Sequence, residues 1–275
     1  MSATTAVTRT VDVGGTPFAY REIGVAQGVP LVFLHHFTAV VDDWDPAVVD
    51  GLAAQRRVVL VDLRGVGGSG GTTPDSVEEM AADVAAFVRA MGFERVDLLG
   101  LSLGGMVAQV VAQREPVLVR RVVLVGTSPA GDAGPANALA LLHQALEWSA
   151  AEGKHPKHLL FFPQSPAGQD AADAFAARLG ERVNDRVPAA TNETVGAQAA
   201  ALAKWEQGSP AGLAEVRQPV LVVNGDNDFM LPTLSSFTLA QRLPDARLSI
   251  YPGAGHAALF QHPELFVRQA LEFLG

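Results

Sequence analysis

Residues 98–105 read Leu98-Leu99-Gly100-Leu101-Ser102-Leu103-Gly104-Gly105, which contains a Gly-x-Ser-x-Gly motif. The apolar residues before the motif predict the end of a buried strand, and residues 103–113 after it predict a helix. A serine on such a sharp turn has a strained backbone, and its hydroxyl points away from the sheet. Because the helix directs its N-terminal amides and dipole at the same place, an oxyanion would be stabilised there. The motif therefore predicts Ser102 as a nucleophile.

Six short apolar runs predict the strands of one sheet. The first five are rich in Val and Leu without polar alternation, which is typical of parallel strands covered on both faces, and the sixth completes the set. Residues 7–13 and 16–22 alternate and predict a hairpin, and residues 76–91 form the strongest helical pattern between the runs. Strands that alternate with helices predict an α/β fold, with a mostly parallel central sheet of about eight strands and helices on both faces. The six runs are residues 31–34, 58–61, 96–99, 122–125, 220–223 and 248–251.

The alternation stops in the middle of the chain. Residues 129–215 are rich in Ala, Gln and Leu, with helix-like stretches at 137–151 and 169–182 and no convincing strand. A helical insertion of this size between two strands predicts a lid over one edge of the sheet. We therefore predict a core formed by residues 1–128 and 216–275, with residues 129–215 as the lid.

Two later strands end in turns that carry an acid and a base. Residues 224–228 read Asn-Gly-Asp-Asn-Asp, and residues 252–256 read Pro-Gly-Ala-Gly-His. The carboxyl ends of parallel strands lie at one edge of the sheet, so these side chains are expected to converge with Ser102. We predict Ser102 as nucleophile, His256 as general base, and Asp228 as the acid that orients the histidine.

Four motifs together resemble those of the α/β-hydrolase superfamily over nearly the whole chain, most closely small lidded esterases, enol-lactonases, carbon-carbon hydrolases and cofactor-free haloperoxidases. They are the loop at residues 34–37 (Leu-His-His-Phe), the segment at 62–69 (Asp-Leu-Arg-Gly-Val-Gly-Gly-Ser), the Ser102 turn, and the two turns just described. The resemblance implies the α/β-hydrolase fold with a helical lid, and chemistry without a metal or organic cofactor. It implies an oxyanion hole formed by the backbone amides of Phe37 and Leu103.

The resemblance also bears on the choice of acid and on substrate contacts. The family's turn places the acid three residues after the glycine that ends the strand, which selects Asp228 over Asp226. Asp226 is then expected to brace the turn through side-chain to backbone bonding. We expect His36, Phe37 and Met230 to contact the substrate.

His36 departs from the family pattern, which has glycine at this position of a His-Gly segment. Glycine suits a close approach of the backbone to substrate and a positive φ, and histidine is one of the better-tolerated residues at positive φ. We expect the imidazole beside the oxyanion site, where it narrows the acyl pocket or donates a hydrogen bond to the substrate. The alternative is that it points away and fills space against the lid.

The predicted function is hydrolysis of a small to medium, largely apolar ester, lactone or related carbonyl compound through an acyl-enzyme on Ser102. Two alternatives stay open: a cofactor-free haloperoxidase or perhydrolase that uses peroxide in place of water, and a signal-binding protein with slow turnover. Several large apolar residues of the lid and entrance either line an apolar pocket or dock the lid on the core. They are Trp148, Leu159, Leu160, Phe161, Phe162 and Trp205.

Composition narrows the possible partners. The chain is 48% hydrophobic, 18% charged and carries a net charge of −9, which argues against nucleic acid or an anionic membrane surface and favours a small-molecule substrate. With no cysteine, disulfides and thiolate metal sites are excluded. No signal peptide or transmembrane run is evident, so we expect a soluble cytoplasmic protein. Whether it forms a homodimer is left open.

Other patterns give weaker signals. Residues 65–70 match Gly-x-Gly-x-x-Gly, but further glycines follow before any helix, which favours a structural loop over a nucleotide site. His155 and His158 suggest a metal pair, although the flanking lysines and proline favour a solvated lid loop. His35 is expected to be a buried structural residue, and His262 is expected at the start of the last helix.

Overall fold

An eight-stranded sheet organises the chain in the computed structural model, which describes residues 1–275 apart from the side chain of residue 211. Its strands are β1 (Arg9–Val13), β2 (Thr16–Gly24), β3 (Leu31–Leu34), β4 (Arg57–Val61), β5 (Val96–Leu101), β6 (Val119–Val125), β7 (Val220–Gly225) and β8 (Ala246–Tyr251). Their spatial order is β1-β2-β4-β3-β5-β6-β7-β8. β2 pairs antiparallel with β1 and β4, and every other pairing is parallel. The predicted mostly parallel sheet is confirmed.

Helices cover both faces of the sheet. Because side chains alternate along a strand, Val32 and Leu34 of β3 enter one core cluster while Leu31 and Phe33 enter the other. Helices α2, α3 and α8 pack on the first cluster, and α1 and α10 pack on the second. The ten α-helices of the described residues are α1 (Pro46–Ala53), α2 (Val77–Ala90), α3 (Leu103–Arg114), α4 (Ala138–Glu152), α5 (Lys157–Phe161), α6 (Pro166–Gly180), α7 (Asn192–Glu206), α8 (Thr233–Arg242), α9 (Ala258–Gln261) and α10 (Pro263–Leu274).

Helix α2 shows how local sequence sets the boundaries. The Ser76 side chain accepts a hydrogen bond from the Glu79 amide at its N-terminus, and Gly92 has φ +71° beyond its C-terminus. Its buried face includes Met80, Val84 and Phe87. The predicted helix at residues 76–91 is confirmed, with Ser76 as its N-cap.

The segment between β6 and β7 contains helices α4 to α7 and, within the residues that the structure describes, no strand. Arg178 of α6 holds it to the core through two hydrogen bonds of 2.8 and 2.6 Å to the buried Asp45. We call residues 129–215 the helical insertion; their role as a lid stays a prediction. No helix of the described residues is long and apolar enough to cross a membrane.

Candidate active site

Ser102 occupies the turn between β5 and α3 in a strained backbone conformation. Its φ of 56° and ψ of −118° are uncommon for a residue with a Cβ, and two neighbouring residues hold it there. The Ser102 amide donates to the Val125 carbonyl at 2.9 Å, and the Thr127 hydroxyl donates to the Ser102 carbonyl at 2.8 Å. These bonds hold Ser102 against the carboxyl end of β6, the neighbouring strand. It is 7% exposed.

The glycines of the motif allow the close approach that this turn requires. A Cβ on Gly100 would overlap the Gly104 backbone, and a Cβ on Gly104 would overlap the Leu34 carbonyl. The first turn of α3 therefore lies directly against the end of β3. Any side chain at Gly104 would push the helix away from the loop that follows β3.

We expect Gly104→Ala to destabilise the fold by about 3 kcal/mol, because the added methyl group meets backbone that has nowhere to move. Gly196→Ala is the matched control. Gly196 also lies in a helix, α7, but a Cβ there meets nothing within 4 Å, so alanine should stabilise by up to about 1 kcal/mol. Urea unfolding of both variants measures the difference. Equal free energies of unfolding for the two variants would show that the turn at Ser102 tolerates a wider spacing between α3 and the end of β3.

Asp228 holds His256 in one orientation and one tautomer. The His256 Nδ1 donates to Asp228 Oδ2 at 2.9 Å, and both side chains are fully buried. The other carboxylate oxygen, Oδ1, accepts hydrogen bonds from the amides of Met230 and Leu231 at 2.9 and 3.0 Å. With the proton on Nδ1, the lone pair of the neutral ring lies on Nε2. That atom is buried and has no partner among the described residues.

Asp226 has a different role, which confirms the expected brace. Its Oδ1 accepts from the Gly253 amide at 2.8 Å and from the Asn227 side chain at 2.6 Å, on the exposed side of the turn. The carboxylate thus joins the turn after β7 to the loop that carries His256. The carboxylate that bonds to the His256 ring is that of Asp228.

A cavity of about 340 Å³ brings five of the predicted site residues together. Ser102, His256, His36, Phe37 and Met230 all line it. Leu103 is the first residue of α3, so its amide has no acceptor within the helix and is free to bind an anion. Ser102 also borders a second, smaller cavity of about 20 Å³ with mostly apolar walls.

His36 lies in the loop after β3, and the structure corrects two expectations about it. The residue of this loop with a positive φ is Thr38, at 66°, so His36 needs no left-handed conformation. Its Nδ1 lies 2.8 Å from the Phe37 carbonyl, and a carbonyl only accepts, so Nδ1 is the donor. Burial, with a smaller effect from the nearby Lys157 charge, lowers the pKa of His36 well below its usual range. The neutral ring therefore presents Nε2 as an acceptor, not as the expected donor.

The insertion contributes a buried ion pair that the sequence did not reveal. Lys157 of α5 bonds to Asp43, and both line the cavity. Burial alone would raise the pKa of Asp43, but the Lys157 charge and hydrogen bonds lower it to about 2. The expectation of a solvated loop is wrong for Lys157 and His158, which are 7% and 4% exposed, because α5 packs back onto the core.

The large apolar residues of the insertion divide into two groups. Leu160 and Phe161 line the cavity. Phe162 instead packs on Phe175, 5.6 Å between ring centroids, and the indole of Trp205 donates to the Ser128 carbonyl at 3.2 Å. Trp148 and Leu159 are partly exposed and do not line it. Pocket lining and docking are therefore both present.

The remaining sequence signals lie outside the site chemistry. His35 is fully buried, with Nδ1 3.2 Å from the His36 carbonyl, and His262 is the N-cap of α10. In the segment at residues 65–70, the Gly68 amide donates to Asp62 at 2.9 Å, so the glycines form a loop tied to a buried carboxylate. Within the described residues, no group of three or more metal-binding side chains is found.

Comparison with known proteins identifies the family of this chain. A sequence model of the alpha/beta hydrolase fold matches residues 29–263. The chain belongs to the α/β-hydrolase family. A solved structure of an alpha/beta hydrolase fold protein from Chitinophaga pinensis is 38% identical to this α/β-hydrolase, with a TM-score of 0.95, over 100% of this chain and 99% of the other.

Two relatives with named activities are more distant. The pimeloyl-[acyl-carrier protein] methyl ester esterase of Aromatoleum aromaticum is 34% identical over 85% of this chain and 93% of its own length. A non-heme chloroperoxidase of Streptomyces lividans is 28% identical, over 94% of this chain and 96% of its own length. The resemblance drawn from the motifs is confirmed, and the chain is an enzyme of the hydrolase class with an α/β fold.

Proposed function

We propose that this α/β-hydrolase is a serine hydrolase that cleaves a small to medium, largely apolar ester, lactone or related carbonyl compound through an acyl-enzyme on Ser102. One observation carries the proposal: His256 and Ser102 border the same cavity, the buried Nε2 of His256 has no hydrogen-bond partner among the described residues, and Asp228 holds the opposite ring nitrogen. A histidine that borders a substrate-sized cavity and has an unpaired ring nitrogen meets the requirement for a general base.

The mechanism follows from these positions. His256 Nε2 takes the proton of the Ser102 hydroxyl as the oxygen attacks the substrate carbonyl. The amides of Phe37 and Leu103 bind the resulting oxyanion, aided by the N-terminus of α3. His256 then gives the proton to the leaving group, and water repeats the two steps on the acyl-enzyme. Asp228 stabilises the His256 imidazolium that exists between each proton uptake and the following proton release.

The two cavities beside Ser102 favour an unsymmetrical substrate. The larger one accommodates the bulkier arm, whereas the 20 Å³ space, which also borders Ser102, has room only for a small group. The apolar residues of the larger cavity, most of them from the insertion, favour a carbon chain over a sugar or nucleotide. They are Phe37, Leu142, Leu146, Leu160, Phe161 and Met230. In this proposal the insertion is the lid of the site.

A panel of p-nitrophenyl esters, methyl esters and lactones tests the proposal. We expect turnover of short-chain esters, and a single adduct on Ser102 after treatment with a fluorophosphonate, located by peptide mass spectrometry. Absence of both turnover and labelling would overturn it.

A second candidate activity is perhydrolysis, in which peroxide replaces water on the acyl-enzyme. The similarity to a non-heme chloroperoxidase over 94% of this chain favours it. Peracid formation from acetate and hydrogen peroxide, measured beside ester hydrolysis, separates the two. A perhydrolysis rate well above that of ester hydrolysis would make it the main activity.

A further inference from the structure

A second histidine that lines the cavity, His36, also has an unpartnered ring nitrogen, Nε2, which has no part in the mechanism above. It is buried without a hydrogen-bond partner among the described residues, like Nε2 of His256. A buried polar atom that is left unpaired costs about 1–3 kcal/mol, so such atoms usually have a partner supplied by solvent or ligand. Both histidines line the same cavity.

The His36 ring is held rigidly. Its Nδ1–H donates to the Phe37 carbonyl at 2.8 Å, which fixes one edge. The Phe161 ring contacts it nearly perpendicularly, with 4.9 Å between centroids and an interplanar angle of 87°. Because the same Phe161 ring also lies 5.6 Å from the His256 ring, the insertion supports both imidazoles together. The direction of the Nε2 lone pair is therefore set before substrate binds.

The charged groups near His36 do not favour binding of an anionic substrate. Lys157 lies on the same wall of the cavity, but its ammonium is bonded to the Asp43 carboxylate. The pair is close to neutral as a whole. An acceptor nitrogen beside a compensated cation binds a neutral O–H or N–H group, and it repels a carboxylate.

From this geometry we infer that His36 is a specificity-determining residue, whose Nε2 accepts a hydrogen bond from an O–H or N–H group of the substrate near the reacting carbonyl. The inference rests on the proposed hydrolase function and narrows its substrate class from plain apolar esters to esters or lactones that carry a hydroxyl or N–H. We place this substrate group near the reacting carbonyl because His36 directly precedes Phe37, whose backbone amide is the proposed donor to the oxyanion.

Paired substrates test the inference in the wild-type protein. p-Nitrophenyl butyrate is compared with its 2-hydroxy and 3-hydroxy derivatives, and propyl butyrate with 2-hydroxyethyl butyrate, which places the hydroxyl on the other arm. We expect kcat/KM to favour at least one hydroxylated partner by about ten- to hundredfold, because the plain ester leaves Nε2 unpaired. The kcat/KM for monomethyl succinate, which carries a carboxylate, should not exceed that for methyl butyrate.

Two substitutions of His36 distinguish the contributions of its two ring nitrogens, Nδ1 and Nε2. Asparagine places a polar atom near the position of Nδ1 and none at Nε2, whereas glutamine reaches the position of Nε2. We expect His36→Asn to reduce the hydroxyl preference to within about threefold, and His36→Gln to keep most of it. The ratio within each substrate pair cancels any general loss of rate through the Phe37 loop.

The outcomes are distinct. A wild-type protein that shows no hydroxyl preference, or a preference that His36→Asn retains in full, overturns the role of His36 but leaves the hydrolase proposal intact. Faster turnover of monomethyl succinate than of methyl butyrate would show that the cavity near His36 and Lys157 binds a carboxylate, and it would also overturn the inference about His36. If no ester in the set is turned over and Ser102 is not labelled, the proposed function itself fails.

Discussion

Ser102→Ala is expected to lower kcat for every ester by about 10⁶ and to abolish fluorophosphonate labelling, because the acyl-enzyme can no longer form. The buried Nε2 of His256 would then lack the hydroxyl it activates. Ser236→Ala is the matched control. Ser236 is also a buried serine, but it lies in α8 and lines neither cavity beside Ser102, so its loss should leave turnover unchanged.

The same position gives a second measurement, on stability. Ser102 has φ 56°, a conformation that glycine adopts without strain. Ser102→Gly should therefore raise the free energy of unfolding by about 1 kcal/mol while activity is lost. Turnover that persists in Ser102→Ala, or labelling of a different serine in it, would contradict the assignment of the nucleophile.

The sequence predicted the sheet and its polar turns because those features depend on local pattern. Apolar runs of Val and Leu correspond to β3 to β8, and Gly104 is required where α3 meets the end of β3. The serine motif and the two polar turns placed Ser102, Asp228 and His256 at the carboxyl ends of β5, β7 and β8, and the family resemblance selected Asp228 over Asp226. Parallel strands bring such ends to one edge regardless of the sequence between them.

The wall of the cavity could not be predicted in the same way. Lys154-His155-Pro156-Lys157-His158 has the composition of a solvated loop, and nothing local indicates that Lys157 meets Asp43, 114 residues earlier in the chain. The donor and acceptor roles of His36 likewise depend on the Phe37 carbonyl orientation, which backbone torsions set. Contacts of this kind belong to tertiary packing, and a single sequence carries no periodic signal for them.

Asp228→Asn is expected to lower kcat by about 10⁴ with little change in fold. The asparagine oxygen can keep the bonds that Asp228 Oδ1 accepts from the Met230 and Leu231 amides, so the turn stays in place. Its amide group would then face His256 as a donor. The histidine would have to present Nδ1 as the acceptor and carry its proton on Nε2, the tautomer that cannot take a proton from Ser102.

Asp226→Asn is the matched control, since it makes the same chemical change two residues away. The Asp226 oxygen accepts from Gly253 and Asn227 on the exposed side of the turn, and an asparagine oxygen can accept both bonds. Its kcat should stay within about threefold of wild type, as is usual for a surface substitution of small energetic effect. The test compares kcat and the fluorophosphonate labelling rate for the two variants, with urea unfolding as the check on folding. A large loss of kcat in Asp226→Asn together with a small loss in Asp228→Asn would transfer the role of orienting acid to Asp226. It would also contradict the conclusion that the 2.9 Å bond between Asp228 and His256 sets the tautomer of the histidine.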